Sequence, residues 1–490
     1  MALTKAHNRM ISGAYVNVLD YGAVGDGITD DATAFQAAIN ANLGKIIIVP
    51  AGTYKIGTTL SMNTTGLGDV SVCQFHGDGM FKTIIDNQTG GPAFYVQSGT
   101  SAEFAYNFAL KNLSIISTGT NAGTIGVRIE GTRYTTIDNV RITGMASHGI
   151  YSLSTVGDFT DTLHTEIRQC QIQSNGGYGV FAEVDGNAIH YSWNMYECSI
   201  GVNTLGGVLW ESMVAAEMAY CGVYYNQGFG LRITSGSGAA PTSKQIHIDH
   251  CEFDTNDGVQ IDLPKCQSIL LTAPYLIANS GLSVVYTKGI VVGANAGSTV
   301  IHQASPRWSP SLSGLVAMEF VSGSTDSVAR DTNYAGFSSL VGTMYVDNSA
   351  GQLVIDDATN RAEFETGTWT VQVKDGSGNT SPTTVTGYYS VNGNVVTAAF
   401  RELNNIDTSG LTSGDILSVT LPIVCRAVNV GFVGSCVITT DSGSANAPFP
   451  NASNGATTAA FQRVGGAFLT VGNLTSGTSD ISLFTLTYQR

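Results

Sequence analysis

The chain has 490 residues, of which only 12% are charged and 58 are glycine, and its formal net charge is −15. It is too long for one ordinary core of about 150 residues, and its many glycines with 43% hydrophobic residues favour short strands and turns over helical bundles or disorder. The acidic balance and the lack of a basic stripe exclude a protein that neutralises nucleic-acid phosphates, and the short apolar runs exclude a membrane-spanning helix.

Eight cysteines are spread along the chain without any CxxC pair. They are too few for a disulfide scaffold, and their spacing does not indicate a zinc site, so we expect neither a metal nor another cofactor. The opening MALTKAHNRM lacks the apolar core of a signal peptide, which predicts synthesis and folding in a cytoplasm.

The first informative block runs from Val16 to Ile56. Thr29 is expected to cap a short helix, with Asp30 and Asp31 in the first turn, where acidic groups suit the helix dipole. The apolar residues of this helix have the i, i+3, i+4 spacing of an amphipathic helix: Phe35, Ala38 and Ile39. An apolar strand over residues 46–49 follows.

This block resembles the N-terminal segment of the pectate-lyase-like right-handed β-helix superfamily, in the form found in bacteriophage tailspikes. The matching stretches are DYGAVGDG at 20–27, TDD at 29–31, AFQAA at 34–38 and VPAGTY at 49–54. The resemblance implies a parallel β-helix whose open end is covered by the predicted helix.

Five segments of the next part align as repeats: 137–151, 167–181, 195–209, 218–232 and 248–261. Each predicts a strand, a tight turn, a second strand, a loop and a third strand, which is one coil of a parallel β-helix. The fourth residues of the segments form one column: Val140, Cys170, Cys198, Cys221 and Cys251. Period-2 alternation places this column in the interior, so we interpret its cysteines as small buried hydrophobic residues.

From about residue 311 the pattern changes to alternating strands separated by short polar turns, which is typical of an antiparallel β-sandwich. The stretch from GTWT at 367 through GYYSVNGNVV at 387 resembles the C-terminal domains of phage tail fibres and tailspikes. We therefore predict an all-β protein with four parts. These are an attachment peptide (1–15), a cap (16–59), a right-handed parallel β-helix (60–310) and a β-sandwich region for trimerisation or carbohydrate binding (311–490).

The first candidate site lies on outward positions of the third strand of each coil. Glu183 and Glu211 are expected on adjacent coils, Asp262 two coils beyond Glu211, and Arg232 between them as a group that binds a sugar hydroxyl or carboxylate. Equivalent side chains lie about 5 Å apart on adjacent coils and about 10 Å apart on alternate coils. The carboxyl separations of retaining (~5 Å) and inverting (~6.5–9.5 Å) glycosidases fall within this range. The three acids are therefore predicted as catalytic groups.

A second face competes with the first, on the strand before the cysteine column. Glu166 and Glu217 are its candidate catalytic acids. Its candidate substrate-binding residues are Arg168, Tyr196, His247 and Asp249. The same residues also allow a lyase mechanism, with His247 or Tyr196 as the base and Arg168 neutralising a uronate carboxylate.

Residues and resemblance together predict a homotrimeric phage tailspike that binds and depolymerises a bacterial capsule or O-antigen polysaccharide. We expect it on the virion tail, attached through the N-terminal peptide or an adaptor protein, without nucleic-acid partners or membrane insertion. Hydrolysis by paired carboxylates is the leading reaction. The alternatives are a lyase acting by β-elimination on a uronate-containing capsule, a non-catalytic receptor-binding spike and a bacterial pectinase-like enzyme.

Overall fold

The computed structural model describes the chain from residue 15, with gaps. The described ranges are 15–98, 103–155, 162–186, 188–236, 243–278, 286–308, 315–330, 342–347, 353–356, 365–375, 377, 379–392, 395–403, 411, 418–420, 433–439, 449–451, 458–462 and 480–489. The predicted attachment peptide therefore lies almost wholly outside the described residues. The chain divides into two compact units, Met1–Ala358 and Thr359–Arg490.

The first unit is a parallel β-helix whose front sheet is formed by one strand from each coil. Its eleven strands, each paired in parallel with the next, are Leu60–Asn63, Pro92–Gln97, Ile125–Glu130, Ile150–Ser154, Tyr178–Val184, Gly206–Glu211, Phe229–Thr234, Gly258–Leu263, Tyr286–Val292, Leu315–Phe320 and Gly342–Asp347. Connections between parallel strands of one sheet are right-handed in about 98% of cases, so this stacking gives the right-handed solenoid that the sequence predicts.

The remaining strands of the solenoid form its back and side. At the N-terminal end these are Val16–Asn17, Asp26–Asp30, Ile46–Val49, Gly52–Ile56, Val70–Ser71, Gln74–Gly77, Thr83–Asn87 and Ala105–Tyr106. The back strands of the later coils are Ala109–Ile116, Thr132–Thr143, Leu163–Arg168, His190–Tyr196, Met213–Ala219, Lys244–Asp249, Gln267–Thr272, Gly297–His302, Ser327–Arg330 and Leu353–Asp356. Short side strands follow at Gln171–Gln173, Ser199–Gly201, Gly222–Tyr224, Glu252–Asp254, Tyr275–Ala278 and Ser305–Trp308.

The N-terminal helix forms as predicted, but it begins later. A 3-10 turn at Val18–Tyr21 precedes it, and the α-helix spans Ala32–Ala41 with Asp31 as its N-cap residue, so the prediction that Thr29 caps the helix was wrong. The side chain of Asp31 instead accepts the backbone N–H groups of Val24 and Gly25 at 2.6 and 3.1 Å. Asp30 and Asp31 therefore lie before the first turn of the helix rather than in it, and the Asp31 carboxylate holds the preceding loop. None of the helices in the described part of the chain has the length and apolar character needed to cross a membrane.

The cysteine column lies inside the solenoid, as predicted. Cys170, Cys198, Cys221 and Cys251 are at most 2% exposed, and all four are free thiols. Successive coils are joined at this column, for example by the N–H of Gly222, which donates to the carbonyl of Cys198 at 2.8 Å. Burial raises the pKa of the Cys170 thiol, so it behaves as a small hydrophobic group.

A second interior column consists of asparagines, each five residues after a cysteine of the first. Asn175, Asn203, Asn226 and Asn256 are at most 1% exposed. The Nδ2 of each donates to the Oδ1 of the next at 2.9, 2.9 and 2.7 Å, and each of the latter three Oδ1 atoms also accepts the backbone N–H of the preceding asparagine. Buried amides tolerate this environment only because they satisfy one another from coil to coil.

The solenoid extends beyond the predicted boundary at 310. Leu315–Phe320 continues the front sheet and pairs in parallel with Gly342–Asp347, and the two compact units divide at 358 rather than at 310. In the sequence, the two prolines at 306 and 310 indicate the end of the parallel β-helix, because proline cannot donate a backbone hydrogen bond. Pro306, however, stands opposite Leu276 in an intact parallel register, and the Ser305 N–H still donates to the carbonyl of Pro274 at 2.9 Å.

The second unit contains an eight-stranded antiparallel sheet. In spatial order its strands are Val433–Thr439, Asp480–Gln489, Val395–Leu403, Thr380–Asn392, Glu365–Lys374, Ser418–Thr420, Thr458–Gln462 and Phe449–Asn451. The antiparallel character agrees with the sequence prediction. The two end strands of this sheet, Val433–Thr439 and Phe449–Asn451, lie close to each other, so the sheet folds over on itself.

Replacing Asn203 with alanine should lower the free energy of unfolding by about 2–4 kcal/mol, because Asn175 and Asn226 each lose a buried hydrogen-bond partner. Chemical denaturation of the whole chain measures this loss. Gln227→Ala, on the exposed position next to Asn226, is the control and should leave the midpoint near that of the parent. Equal midpoints for the two variants would contradict a stabilising role of the asparagine column.

Candidate functional site

The front sheet carries one row of outward side chains along the solenoid axis. In this row Phe181 stands opposite Leu209, Leu209 opposite Arg232, and Arg232 opposite Asp262. Glu183 and Glu211 lie two residues after Phe181 and Leu209, on adjacent coils. The structure thus brings Glu183, Glu211 and Arg232 to one face, as the sequence predicts.

Asp262 lies two residues away from its predicted register. It belongs to the row of Leu209 and Arg232, and Gln260, two residues before it, is fully buried and accepts a hydrogen bond from Nδ2 of Asn256 at 2.5 Å. A glycine stands two residues before Phe181, Leu209 and Arg232 in the earlier coils, and in this coil the equivalent position is Gln260 and not Gly258. Asp262 is therefore the direct neighbour of Arg232 rather than part of the row of Glu211.

Glu183 and Glu211 are half-buried and differ in their partners. The hydroxyl of Tyr151 donates to Oε2 of Glu183 at 2.5 Å, and the backbone N–H of Val184 donates to Oε2 of Glu211 at 3.3 Å. Burial raises the pKa of Glu211, and the nearby Glu183 carboxylate raises it further, whereas the Val184 N–H lowers it. Glu211 consequently keeps a proton more readily than an exposed glutamate does.

Arg232 and Asp262 form an ion pair beside the two glutamates. The guanidinium Nε and NH2 contact Oδ2 of Asp262 at 2.7 and 2.6 Å, and the guanidinium also lies over the ring of Phe229, 4.3 Å from its centroid. The Asp262 side chain is 12% exposed and that of Arg232 is 40% exposed. This pairing neutralises Asp262, so the structure gives it the position of a partner of Arg232 rather than of a third free acid.

The front row continues toward the N-terminus with residues that the sequence analysis missed. Tyr95, Arg128 and Tyr151 stand opposite one another on three successive coils, and the Arg128 guanidinium lies 5.0 and 5.3 Å from the two tyrosine ring centroids. Glu130 accepts the Tyr95 hydroxyl at 2.7 Å and Arg128 Nε at 2.7 Å. Tyr151 stands eleven residues after Val140, the same offset that leads from Cys170 to Phe181, so the repeat spacing would have found it.

Aromatic rings border the acid pair. His148 stacks on Tyr178 with ring centroids 5.5 Å apart, and Tyr178 contacts both Phe181 and Phe229. The backbone N–H of Tyr178 donates to Nδ1 of His148 at 3.0 Å, so this ring nitrogen carries no proton. Burial lowers the pKa of His148 to about 4. The ring is therefore neutral at neutral pH.

The second candidate face also has the predicted register. Glu166, Asn194, Glu217 and His247 stand in one row of the back sheet, and Arg168, Tyr196, Ala219 and Asp249 stand in the neighbouring row.

The acids of the second face are held by polar partners at an open surface. Tyr196 donates to Oε2 of Glu217 at 2.7 Å, and burial with this contact raises the pKa of Tyr196 to about 12. His247 lies 3.8 Å from Glu217 and 3.9 Å from Asp249. The side chains of Glu166 and Glu217 are 40% and 38% exposed. This face has the candidate residues together, but in a more solvated setting than the front face.

Several remaining positions bear on the predicted chemistry. Arg168 forms ion pairs with Asp138 and Glu166 at 3.1 and 3.2 Å. Trp193 and Trp210 are fully buried and therefore belong to the core. Within the described ranges, no group of three or more histidine, cysteine or acidic side chains is placed to hold a metal ion.

Replacing His148 with asparagine should flatten the acid side of the stability profile. This histidine is protonated below about pH 6.5 in the unfolded chain but only below about pH 4 in the folded chain. The free energy of unfolding is therefore highest above pH 6.5 and falls as the pH drops toward 4. Asparagine keeps an acceptor for the Tyr178 N–H without titrating, and should remove about 1–3 kcal/mol of this loss. Unfolding measured from pH 7 to 4 tests this, with exposed His164→Asn as the control. Parallel profiles for His148→Asn and the parent would contradict the assignment.

Comparisons with known proteins agree on the fold. Residues 15–223 match the family described as rhamnogalacturonase A/epimerase, pectate lyase-like. The mannuronan C5-epimerases AlgE3 and AlgE5 of Azotobacter vinelandii are 27% and 28% identical over 272 and 269 residues. These alignments cover 50% of this chain but only 14% and 25% of the two relatives. The chain thus spans a small part of the curated relatives it matches.

Solved structures extend the likeness along the solenoid and beyond it. The enzymatically active domain of bacteriophage CBA120 tailspike protein 2 aligns with a TM-score of 0.55 and 13% identity, covering 97% of this chain and 76% of that one. The Dettilon tailspike protein aligns with 0.52 and 15%, covering 97% and 94%. The AlgE4 A-module of Azotobacter vinelandii aligns with 0.53 and 18%, covering 70% and 94%. In its fold, the chain is a parallel β-helix followed by an antiparallel sheet, and residues 15–223 are similar to the pectate-lyase-like family.

Proposed function

We propose that this protein is a tailspike depolymerase that hydrolyses glycosidic bonds in a bacterial capsule or O-antigen. The likeness of fold to two tailspikes over 97% of the chain supports the architecture of this proposal. A homotrimer on the virion tail, joined to it directly or through an adaptor protein, belongs to the same proposal.

The pairing of Glu183 with Glu211 carries the proposal. Side chains at equivalent positions of adjacent coils are separated by about 4.8 Å, which is close to the ~5–5.5 Å between the two carboxyl groups of a retaining glycosidase. Burial raises the pKa of Glu211, and the Tyr151 hydroxyl donates to Glu183. A carboxyl group with a raised pKa beside a hydrogen-bonded carboxylate is the arrangement that suits a general acid and a nucleophile.

In the first step, Glu211 gives its proton to the glycosidic oxygen while a Glu183 oxygen bonds to the anomeric carbon. The glycosidic bond breaks, the leaving sugar departs with the proton, and a glycosyl ester of Glu183 remains. In the second step, Glu211 takes a proton from water as the water oxygen attacks the anomeric carbon. The ester bond breaks, Glu183 is restored as a carboxylate, and the anomeric configuration is retained.

Neighbouring groups hold Glu183 in its role. Burial and the hydrogen bond to Glu183 raise the pKa of Tyr151 well above its usual range, so the hydroxyl stays protonated and continues to donate. This contact disperses the charge of the carboxylate and orients it. Arg232, already paired with Asp262, presents a neutral ion pair that can bind sugar hydroxyls beside the acids.

Glu183→Gln and Glu211→Gln should each lower kcat by about 10²–10⁴-fold, because each removes a group that transfers a proton or forms the ester. Release of reducing ends from the host capsule or O-antigen measures this. Glu217→Gln and Asp249→Asn, on the second face, are matched controls and should retain activity. Loss of cleavage in Glu217→Gln with full activity in Glu211→Gln would move the reaction to the second face.

A second candidate is β-elimination or epimerisation at a uronate, favoured by the sequence likeness to mannuronan C5-epimerases. Such chemistry needs a free cation to neutralise the uronate carboxylate. Arg128, Arg168 and Arg232 are each already paired with an acid, which favours a substrate that lacks this charge at the reacting sugar.

The same incubations separate these reactions. Ultraviolet absorbance of an unsaturated uronate product would indicate a lyase, and a changed uronate composition of mannuronan without chain cleavage would indicate an epimerase. Binding without any product would indicate a receptor-binding spike. Any of these outcomes, without new reducing ends of saturated sugars, overturns the hydrolase proposal.

A further inference from the structure

The parallel ladder between two coils is interrupted at the acid pair. The strand Tyr178–Val184 follows the strand Gly206–Glu211 in regular register as far as Ala182 opposite Trp210. Beyond that point, side chains make the contacts. The Val184 N–H binds the carboxylate of Glu211, and the backbone carbonyl of Glu183 is 2.9 Å from Nε2 of His190.

His190 connects the backbones on both sides of this interruption. Its backbone N–H donates to the carbonyl of Ser212, the residue after Glu211, at 3.0 Å. Its imidazole contacts the carbonyl of Glu183, which can only accept, so Nε2 carries the proton and donates. One residue therefore ties Glu183 to the end of the strand that carries Glu211.

The imidazole is fully enclosed. His190 is 0% exposed and packs edge-on against Trp193, with ring centroids 5.6 Å apart. Its Nδ1 has no hydrogen-bond partner among the described groups. Burial lowers the pKa of His190 to about 4, which keeps the ring neutral and the Nε2–H in place at neutral pH. A buried polar side chain with one unpartnered nitrogen is unfavourable for packing alone, and it needs another reason to be there.

We infer that His190 is a positioning residue that holds the Glu183 backbone against the strand of Glu211, and so sets the separation and the partial burial of the acid pair. The inference rests on the proposed function of that pair. Without the Nε2–H, the 183–184 strand end loosens and the exposed fraction of the Glu211 side chain rises. The raised pKa of Glu211 has two causes, its burial and the charge of Glu183, and burial is the larger. Both causes weaken when the strand end loosens.

The test compares His190→Leu, which has no donor, with His190→Gln, whose amide can replace the Nε2–H. His190→Leu should lower kcat by about 10–100-fold with little change in KM, because the acids are displaced rather than the sugar site lost. The alkaline limb of its pH–rate profile, which follows Glu211, should move to lower pH. His190→Gln should recover most of kcat and the position of the limb. His190→Met replaces the leucine variant if that variant does not fold.

Met195→Ala is the packing control, since Met195 is fully buried on the same strand. It should lower the thermal midpoint but leave the pH–rate limb in place. The charged or titratable groups near Glu211 that also influence the alkaline limb are Glu183, Tyr151, Tyr178 and Arg232. An unchanged limb and kcat in His190→Leu, or a glutamine variant no better than leucine, overturns the inference.

A measurement without substrate separates this inference from the proposed function. Carbon-13 labelling of glutamate side chains, with Glu211→Gln to assign the signal, reports the pKa of Glu211 by NMR. It should be lower in His190→Leu than in the parent or in His190→Gln, whether or not the protein cleaves a polysaccharide. Equal values overturn the positioning role, whereas a shift without any cleavage overturns only the hydrolase.

Discussion

The stacking of each coil on the next in a fixed register is the constraint on which this protein depends. A parallel ladder repeats about every 4.8 Å, so each interior position must accept the same position of the neighbouring coil. Cysteines fill one such column with small apolar groups. Asparagines fill another by satisfying one another along the solenoid axis. A third column is glycine: a Cβ at Gly207 would lie 2.4 Å from the Gly230 carbonyl oxygen, so a side chain there would force the coils apart.

The same spacing that packs the core creates the candidate chemistry outside it. Outward residues of adjacent coils lie about 4.8 Å apart, close to the distance between the two catalytic carboxyl groups of a retaining glycosidase. Two glutamates at equivalent positions differ in acidity and hydrogen bonding only through the groups around them. For Glu211 it comes from burial and a neighbouring charge, and for Glu183 it comes from the Tyr151 hydroxyl.

The acid pair also lies where the ladder is least regular. Beyond Ala182, side-chain contacts from Glu211 and His190 replace backbone pairing with the next coil, while Glu183 and Val184 stay paired with the preceding coil. Side chains therefore contact backbone groups at this point, while the flanking coils stay in register. The front face therefore differs from the back face, where Glu166 and Glu217 lie on an uninterrupted ladder and remain open to water.

Sequence alone determined the coil repeat, the inward cysteine column and the outward rows, because alternation and a constant coil spacing are local properties of the chain. Counting eleven residues from each cysteine reaches Phe181, Leu209, Arg232 and Asp262, which is the observed row. Aligning on Gly258 instead displaced Asp262 by two residues.

Only the tertiary structure decided which of the outward acids differ chemically. Burial of Glu211, neutralisation of Asp262 by Arg232 and the contact from His190 to Glu183 all depend on side chains from other strands or coils. The asparagine column could have been read at a constant offset of five residues from the cysteines, but its hydrogen bonds exist only between stacked coils. The extent of the solenoid past 310 was also decided by pairing, since Pro306 fits an intact register that its local sequence does not reveal.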